Sequence, residues 1–246
     1  MIAILCPNCQ SANIKKNGHI HNGKQNYRCK PCGRQFVLSP ENKRISEETK
    51  ELIEKLLLER ISLRGICRVL KVSLAWLMDY VIALYDQLPD TLNAQLQVLE
   101  KQGDIILKVL DAQADELWSF VGNKDNKQWV WIAIAAHTKQ VIAFYVGDRS
   151  RQSAQKLWER LPDIYKCRAT FYTDHWEAYR GVIPPNQHKA GSKQLGKTSV
   201  VERFICTLRQ RVSRLVRSAL SFSKKLKNHI GAIKYFICHY NLALLV

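Results

Sequence analysis

Two groups of residues in this chain have the type and spacing to do chemistry. The first is a pair of Cys-x2-Cys knuckles, Cys6-Pro-Asn-Cys9 and Cys29-Lys-Pro-Cys32. Four thiolates so arranged can close around one tetrahedral Zn2+ at about 2.3 Å each and leave no open position for a substrate. The expectation is a structural zinc ribbon with one Zn2+, because a segment of this size lacks a core and needs a metal to fold. Four unrelated thiols, or disulfides, are the competing reading, and the repeated spacing in a basic segment argues against it. Cys67, Cys167, Cys206 and Cys238 are scattered and read as core residues or inert thiols.

The second group is acidic. Asp115 and Glu116 fall within or at the edge of a long strand, Asp174 ends the strand-like Ala169 to Thr173, and Glu202 begins a long helix. Carboxylates brought together repel one another unless cations bridge them. Two Mg2+ or Mn2+ ions about 3.5–4 Å apart would then activate one oxygen for in-line attack at phosphorus and stabilise the leaving oxygen. Plainer readings compete. Asp174-x-x-Glu177 is a capping-box pattern, Glu202 near a helix start suits the macrodipole, and Asp111 and Glu116 rival Asp115 for the first position. Placement on strand, strand end and helix, in the order of an RNase H-like nuclease site, favours metal-binding catalysis by Asp115, Asp174 and Glu202.

These groups need elements to position them. Short strand-like pieces and turns at Gly18, Gly23 and Gly33 predict a ribbon over residues 1–40. Leu52, Ile53, Leu56 and Leu57 have helical spacing, and Leu63 to Leu70 and Ser73 to Tyr85 are two further helices separated by Lys71 and Val72. The latter pair resembles a helix-turn-helix, whose second helix enters the major groove by its N-terminal residues, so Ser73, Ala75 and Trp76 would form the tip. A plain helical hairpin with Trp76, Leu77 and Tyr80 in its core is the alternative. Residues 41–88 would make this segment and 89–103 a linker after Pro89. From residue 104 the period changes: Ile105 to Leu110, Leu117 to Val121, Val130 to Ala136 and Val141 to Val146 are β-rich runs. A helix at Ser150 to Leu161, the strand ending at Thr173, a helix from Asp174 and a long helix near Ser199 complete an α/β domain over 104–246.

Charge says what the partner is. Lys and Arg number 38 against 21 Asp and Glu, a formal net charge of +17, which points to a polyanion rather than to any fold. After Glu202 no acidic residue occurs, while Arg203, Arg209, Arg211, Arg214 and Arg217 lead a run of basic side chains suited to double-stranded DNA. On the ribbon, Lys15, Lys16, Arg28, Lys30 and Arg34 would face phosphate; His188, Lys193 and Lys197 precede Glu202 and are candidates to assist a scissile phosphate. A hydrophobic content of 46% with 24% charged residues excludes wholesale disorder. No apolar run approaches the about 20 residues of a membrane span, so a soluble, cytoplasmic protein is expected, associated with the nucleoid in a prokaryote. No Gly-x4-Gly-Lys loop offers an ATP site.

The strings Ala114-Asp-Glu-Leu-Trp-Ser-Phe-Val-Gly122, Thr173-Asp-His-Trp-Glu-Ala-Tyr179, Val201-Glu-Arg203 and Ser218-Ala-Leu-Ser-Phe-Ser-Lys224 resemble the transposases of the insertion-sequence-one family, which are DDE-type enzymes. The resemblance extends over nearly the whole chain. It implies a multidomain protein of zinc ribbon, helix-turn-helix and RNase H-like catalytic domain with a mixed five-stranded sheet. It also implies that Asp115, Asp174 and Glu202 bind the catalytic metals, that the N-terminal region reads terminal inverted repeats, and that at least a homodimer pairs two DNA ends. A zinc-ribbon and helix-turn-helix regulator without chemistry is the runner-up, and a nuclease or resolvase that cuts without joining is third.

Overall fold

The computed structural model describes residues 4–38, 45–95, 100–101, 104–105, 110–191, 197–216 and 220–245. They form two compact units, 1–46 and 47–246, each built on its own contacts. Arg217, Lys193 and the start of the Ser218 to Lys224 string lie outside the described residues.

In the first unit, β1 (Ile14–His19), β2 (Gln25–Cys29) and β3 (Gln35–Phe36) form an antiparallel sheet in that order. Its apolar content is small: Tyr27 stacks on Phe36 with ring centroids 5.9 Å apart. Cys6 and Cys29 are its buried residues, so the thiol cluster takes the place of a core.

The second unit opens with α1 (Glu47–Leu57), α2 (Leu63–Leu70) and α3 (Leu74–Asp86). Ser62 and Ser73 cap α2 and α3, their hydroxyls accepting the backbone N–H groups of Gly65 and Trp76 at 3.0 and 3.2 Å. Lys71 ends α2 in the left-handed region at φ 54°, which makes the turn between the two helices tight. Two short strands, β4 (Glu100–Lys101) and β5 (Asp104–Ile105), follow and pair antiparallel.

The large sheet has β6 (Leu110–Phe120) at its centre, antiparallel to β7 (Lys127–Ala135), which is antiparallel to β8 (Val141–Gly147). On the other side β6 runs parallel to β9 (Ala169–Thr173), and β9 runs parallel to β10 (His188–Ala190). The strand order β10-β9-β6-β7-β8 is the expected mixed five-stranded sheet. Between β8 and β9 lie α4 (Arg151–Glu159) and α5 (Asp163–Arg168); α6 (Ser199–Arg211) and α7 (Leu226–Ala243) follow β10.

Residues alternate between the two faces of β6. Ala112 and Ala114 pack with Trp131, Leu157, Phe171 and Tyr179 on the α4 and α5 face. Leu117 packs with Val201, Phe204, Ile233 and Phe236 under α6 and α7. Burial on both faces explains why β7 reads as an unbroken apolar run.

Two expectations need correction. No helix starts at Asp174: one 3-10 turn, Glu177–Tyr179, follows, because the Asp174 side chain accepts the Trp176 N–H at 3.0 Å and turns the chain instead of capping a helix. The runs ending at Leu110 and starting at Leu117 are one strand, since β6 continues through the polar Asp111, Gln113 and Asp115, all on the α6 face, while Ile105 lies in β5. β10, His188-Lys-Ala190, is a strand that no apolar run marks.

Towards its start α7 carries His229, wholly buried, with Nε2 2.9 Å from the Ser119 hydroxyl of β6. Burial, aided by the nearby Arg214 charge, pulls this imidazole down to about 4. An unfolded histidine titrates near 6.5, so between these values the unfolded chain binds the extra proton. Stability is therefore full above about pH 6.5 and falls as the pH drops toward 4, by on the order of 3 kcal/mol from this group. In thermal melts from pH 7 to pH 4, His229→Gln should flatten the pH dependence of Tm; an unchanged slope contradicts this.

Candidate functional site

The cysteine cluster forms as expected. One sulfur atom from each of Cys6, Cys9, Cys29 and Cys32 lies within 4.8 Å of the other three. Cys6 to Cys32 is 3.6 Å and Cys9 to Cys29 3.5 Å, close to the about 3.8 Å edge of a tetrahedron with 2.3 Å zinc–sulfur bonds. The two knuckles repeat one backbone pattern. Cys6 O accepts Gln10 N–H and Cys29 O accepts Gly33 N–H, while Cys6 N–H and Cys29 N–H donate to Ser11 O and Arg34 O. The residue after each second cysteine is left-handed, Gln10 at φ 57° and Gly33 at φ 73°. A backbone N–H at Arg34 and the neighbouring thiols hold Cys32 down to about 6. The set could hold zinc.

Lys15, Lys16, Arg28, Lys30 and Arg34 are all exposed. Lys15 pairs directly with Arg28 across β1 and β2. Like charges so placed oppose the sheet unless an anion lies over them.

The acidic site begins with strand register. β6 and β9 pair in parallel from Leu110 opposite Ala169 to Gln113 opposite Tyr172. Continued by two residues, that register sets Asp115 beside Asp174, at a strand spacing of about 4.8 Å. Carboxylate oxygens of Asp115, Glu116 and Asp174 indeed lie within 4.8 Å of one another. Asp111 is four residues back along β6, about 13 Å from Asp115, and is not in this group. Asp115 accepts the Glu116 N–H at 2.8 Å, which fixes its carboxylate relative to the strand.

Glu116 is differently engaged. Its Oε1 accepts two bonds from Arg149, at 2.9 and 2.7 Å, and its Oε2 accepts the Tyr179 hydroxyl at 3.2 Å. Burial pushes its carboxyl up, Arg149 pulls it down, and the Asp174 charge pushes it up again. The Arg149 guanidinium lies between two rings, 4.5 Å from Trp129 and 3.9 Å from Trp176. The Trp176 backbone N–H in turn donates to Asp174. A continuous path, Glu116 to Arg149 to Trp176 to Asp174, thus fixes the loop that carries Asp174. Glu116 therefore carries a neutralising partner of its own.

Glu202 stands in the first turn of α6, with Oε1 accepting the Thr198 hydroxyl at 2.9 Å. It is not in the group with Asp115 and Asp174. What ties α6 to the site is Gln113, whose side-chain oxygen accepts the N–H groups of Val200 and Val201 at 2.9 and 3.0 Å. Gln113 is two residues from Asp115 and so shares its face of β6. The strand supplies the cap that the helix lacks, and Glu202 follows directly after the capped residues. Sequence reasoning missed both Gln113 and Arg149. A glutamine at a two-residue spacing from a candidate aspartate was a readable signal for the first; nothing in the sequence paired Arg149 with Glu116.

The remaining candidates are spread out. Arg203 is exposed, whereas Arg211 forms an ion pair with Glu59 at 2.7 Å and Arg214 faces the Tyr85 hydroxyl. Arg209 is half-buried. Lys197 sits 5.1 Å above the Tyr172 ring, and His188 Nε2 is 2.8 Å from the Thr173 hydroxyl. Trp76 is half-buried, stacked on Tyr80 at 5.1 Å.

Comparison with known proteins adds the following. The family model for the IS1 transposase matches residues 108–242, more than half of the chain. The chain belongs to the IS1 transposase family. The InsB protein of insertion element iso-IS1n from Shigella dysenteriae is 33% identical over 128 residues, covering 52% of this chain and 94% of that protein. The InsB protein of IS1 4 from Escherichia coli K12 is 30% identical over 129 residues, covering 52% and 74%. Among solved structures, the catalytic core of BIV integrase covers 51% of this transposase-family chain and 80% of its own, at 14% identity and a TM-score of 0.36. A simian T-cell lymphotropic virus intasome, solved with a PP2A regulatory subunit, covers 75% and 66% at 9% identity and a TM-score of 0.35. No described helix is long and apolar enough to cross a membrane.

Two predictions follow from this geometry. Chelating the metal, or Cys29→Ser, should abolish the dispersed NMR signals of residues 1–46 together with bound zinc; a folded, zinc-free ribbon contradicts the assignment. Arg149→Met should cost on the order of 2–3 kcal/mol, below the usual 3–5 for a broken buried pair because Arg149 is 38% exposed against 1% for Glu116. In chemical denaturation, adding Glu116→Gln to that variant should recover part of the loss; strict additivity contradicts direct coupling.

Proposed function

We propose that the protein is a DDE transposase that binds the terminal inverted repeats of a mobile element, cuts DNA at its ends and joins the freed 3′-OH to target DNA. Family membership gives the class, and one observation supports the site: carboxylates of Asp115 on β6 and of Asp174, directly after the adjacent parallel strand β9, lie within 4.8 Å of each other. Hard carboxylate oxygens suit Mg2+ or Mn2+. Asp115 and Asp174 would hold the ions with Glu202, whose release from Thr198 would bring it toward them. Two such ions, when bound, would activate the attacking oxygen and stabilise the leaving one.

The chain's own residues do the rest. Gln113 positions the start of α6, and Arg149 with Trp176 fixes the Asp174 turn. Zinc is the proposed metal of the four-cysteine set. The ribbon cations Lys15, Lys16, Arg28, Lys30 and Arg34, and Arg203 on α6, are proposed to grip phosphates; each phosphate neutralised should add about 0.9 to the salt slope of binding. The proposed division is a zinc ribbon over 1–40, a helix-turn-helix over 41–88, a linker over 89–103 and a catalytic RNase H-like domain over 104–246. The partner is double-stranded DNA, the acting form at least a homodimer, and the place of action the cytoplasm.

Asp174→Asn and Glu202→Gln should each lower Mg2+-dependent cleavage of end-containing duplex by on the order of a hundredfold or more, with duplex binding kept. Wild-type protein that binds these ends and never cuts them supports the regulator instead.

A further inference from the structure

α3 has four sides with different uses. Leu77 and Val81 are buried, Trp76 and Tyr80 stack together with the Tyr80 hydroxyl donating to Glu54, and Ala75, Asp79, Ala83 and Asp86 form the exposed stripe. That stripe carries two carboxylates and no cation of its own, and the Lys227 ammonium beside it is taken up by Asp86 at 2.8 Å, which suits phosphate poorly. The remaining side, Leu74 and Met78, faces a cavity of about 430 Å3.

The chemistry of this cavity is mixed. Arg64 and Arg68 enter from one face of α2, four residues apart. Arg214 and Lys224 enter from the segments that follow α6 and precede α7, and none of the described lining residues is a carboxylate. Its floor is apolar, with Leu63, Leu74, Met78 and Phe222. The Phe222 ring is braced on Phe120 at 5.3 Å, while Leu220 at the rim is 96% exposed. Four cations confined together repel unless an anion joins them. An intact duplex would satisfy the cations by its backbone yet keep its base faces stacked inside, leaving the apolar floor bare. An unpaired nucleotide offers both a phosphate and a flat apolar face, and the volume lies within the about 300–1,000 Å3 of small-ligand sites.

We infer that this cavity binds one unstacked nucleotide of single-stranded or locally opened DNA, its phosphate among Arg64, Arg68, Arg214 and Lys224 and its base against Met78, Leu74 and Phe222. The inference rests on the reading that the chain acts on DNA. It moves the nucleic-acid contact of the helical segment from the tip of α3 to the side shared with the C-terminal segments of the same unit.

The test measures binding of the full chain to a fluorescein-labelled oligo-dT and to a duplex of equal length, by anisotropy at one fixed salt concentration. The variants are Arg64→Ser with Arg68→Ser, and separately Met78→Glu, each checked for an unchanged thermal melt. The inference expects at least a tenfold loss of single-strand affinity in both, with duplex affinity within about twofold. Unchanged single-strand affinity overturns it. Equal losses for both DNAs also overturn it, because they mark a duplex-backbone contact. Should cleavage survive Asp174→Asn, the catalytic reading fails while this binding result stands or falls by itself.

Discussion

The parallel register between β6 and β9 is the constraint on which the rest of the structure depends. It brings two aspartates, 59 residues apart in the chain, to neighbouring positions, and it does so with backbone hydrogen bonds that leave the carboxylates little freedom to separate. Two negative charges at that spacing are unfavourable without a counter-charge. Both faces of β6 are packed with apolar side chains, and that packing holds the repelling groups in place. The site is thus arranged to gain from a bound cation while the fold bears the repulsion in its absence.

The surrounding polar groups divide that work. Arg149 neutralises Glu116, the acidic neighbour least suited to share a metal because it is the most buried and already triply hydrogen-bonded. Its guanidinium also stacks on Trp176, so the same cation that offsets one carboxylate orders the turn holding another. Gln113 performs the corresponding task for α6. Gln113 is marked only by its two-residue spacing from Asp115 and Arg149 by nothing local, yet each links two elements that must keep their relation to Asp115.

Much of the fold was legible in the sequence, for identifiable reasons. β7 and β8 are buried on both faces and appear as apolar runs, and Ser73 and Ser150 sit where hydroxyls cap helices. The Cys-x2-Cys pairs revealed the first unit because metal ligation demands fixed spacing. Errors arose where polar residues serve a buried purpose. β6 was split because Asp111, Gln113 and Asp115 interrupt its hydrophobic pattern, although they face α6. Asp174 resembled a helix cap because side-chain acceptance of a nearby N–H is common to caps and tight turns. The site was legible as residue types and order; the ion pair of Glu116 with Arg149, like the hydrogen bond from Thr198 to Glu202, depends on pairings that no local pattern specifies.

The most direct measurement is an anomalous-scattering map from crystals of the full chain soaked in Mn2+. Density for manganese between the Asp115 and Asp174 carboxylates, lost in Asp174→Asn crystals, is the predicted result. Well-ordered carboxylates at these two positions with no manganese between them after a saturating soak would contradict it.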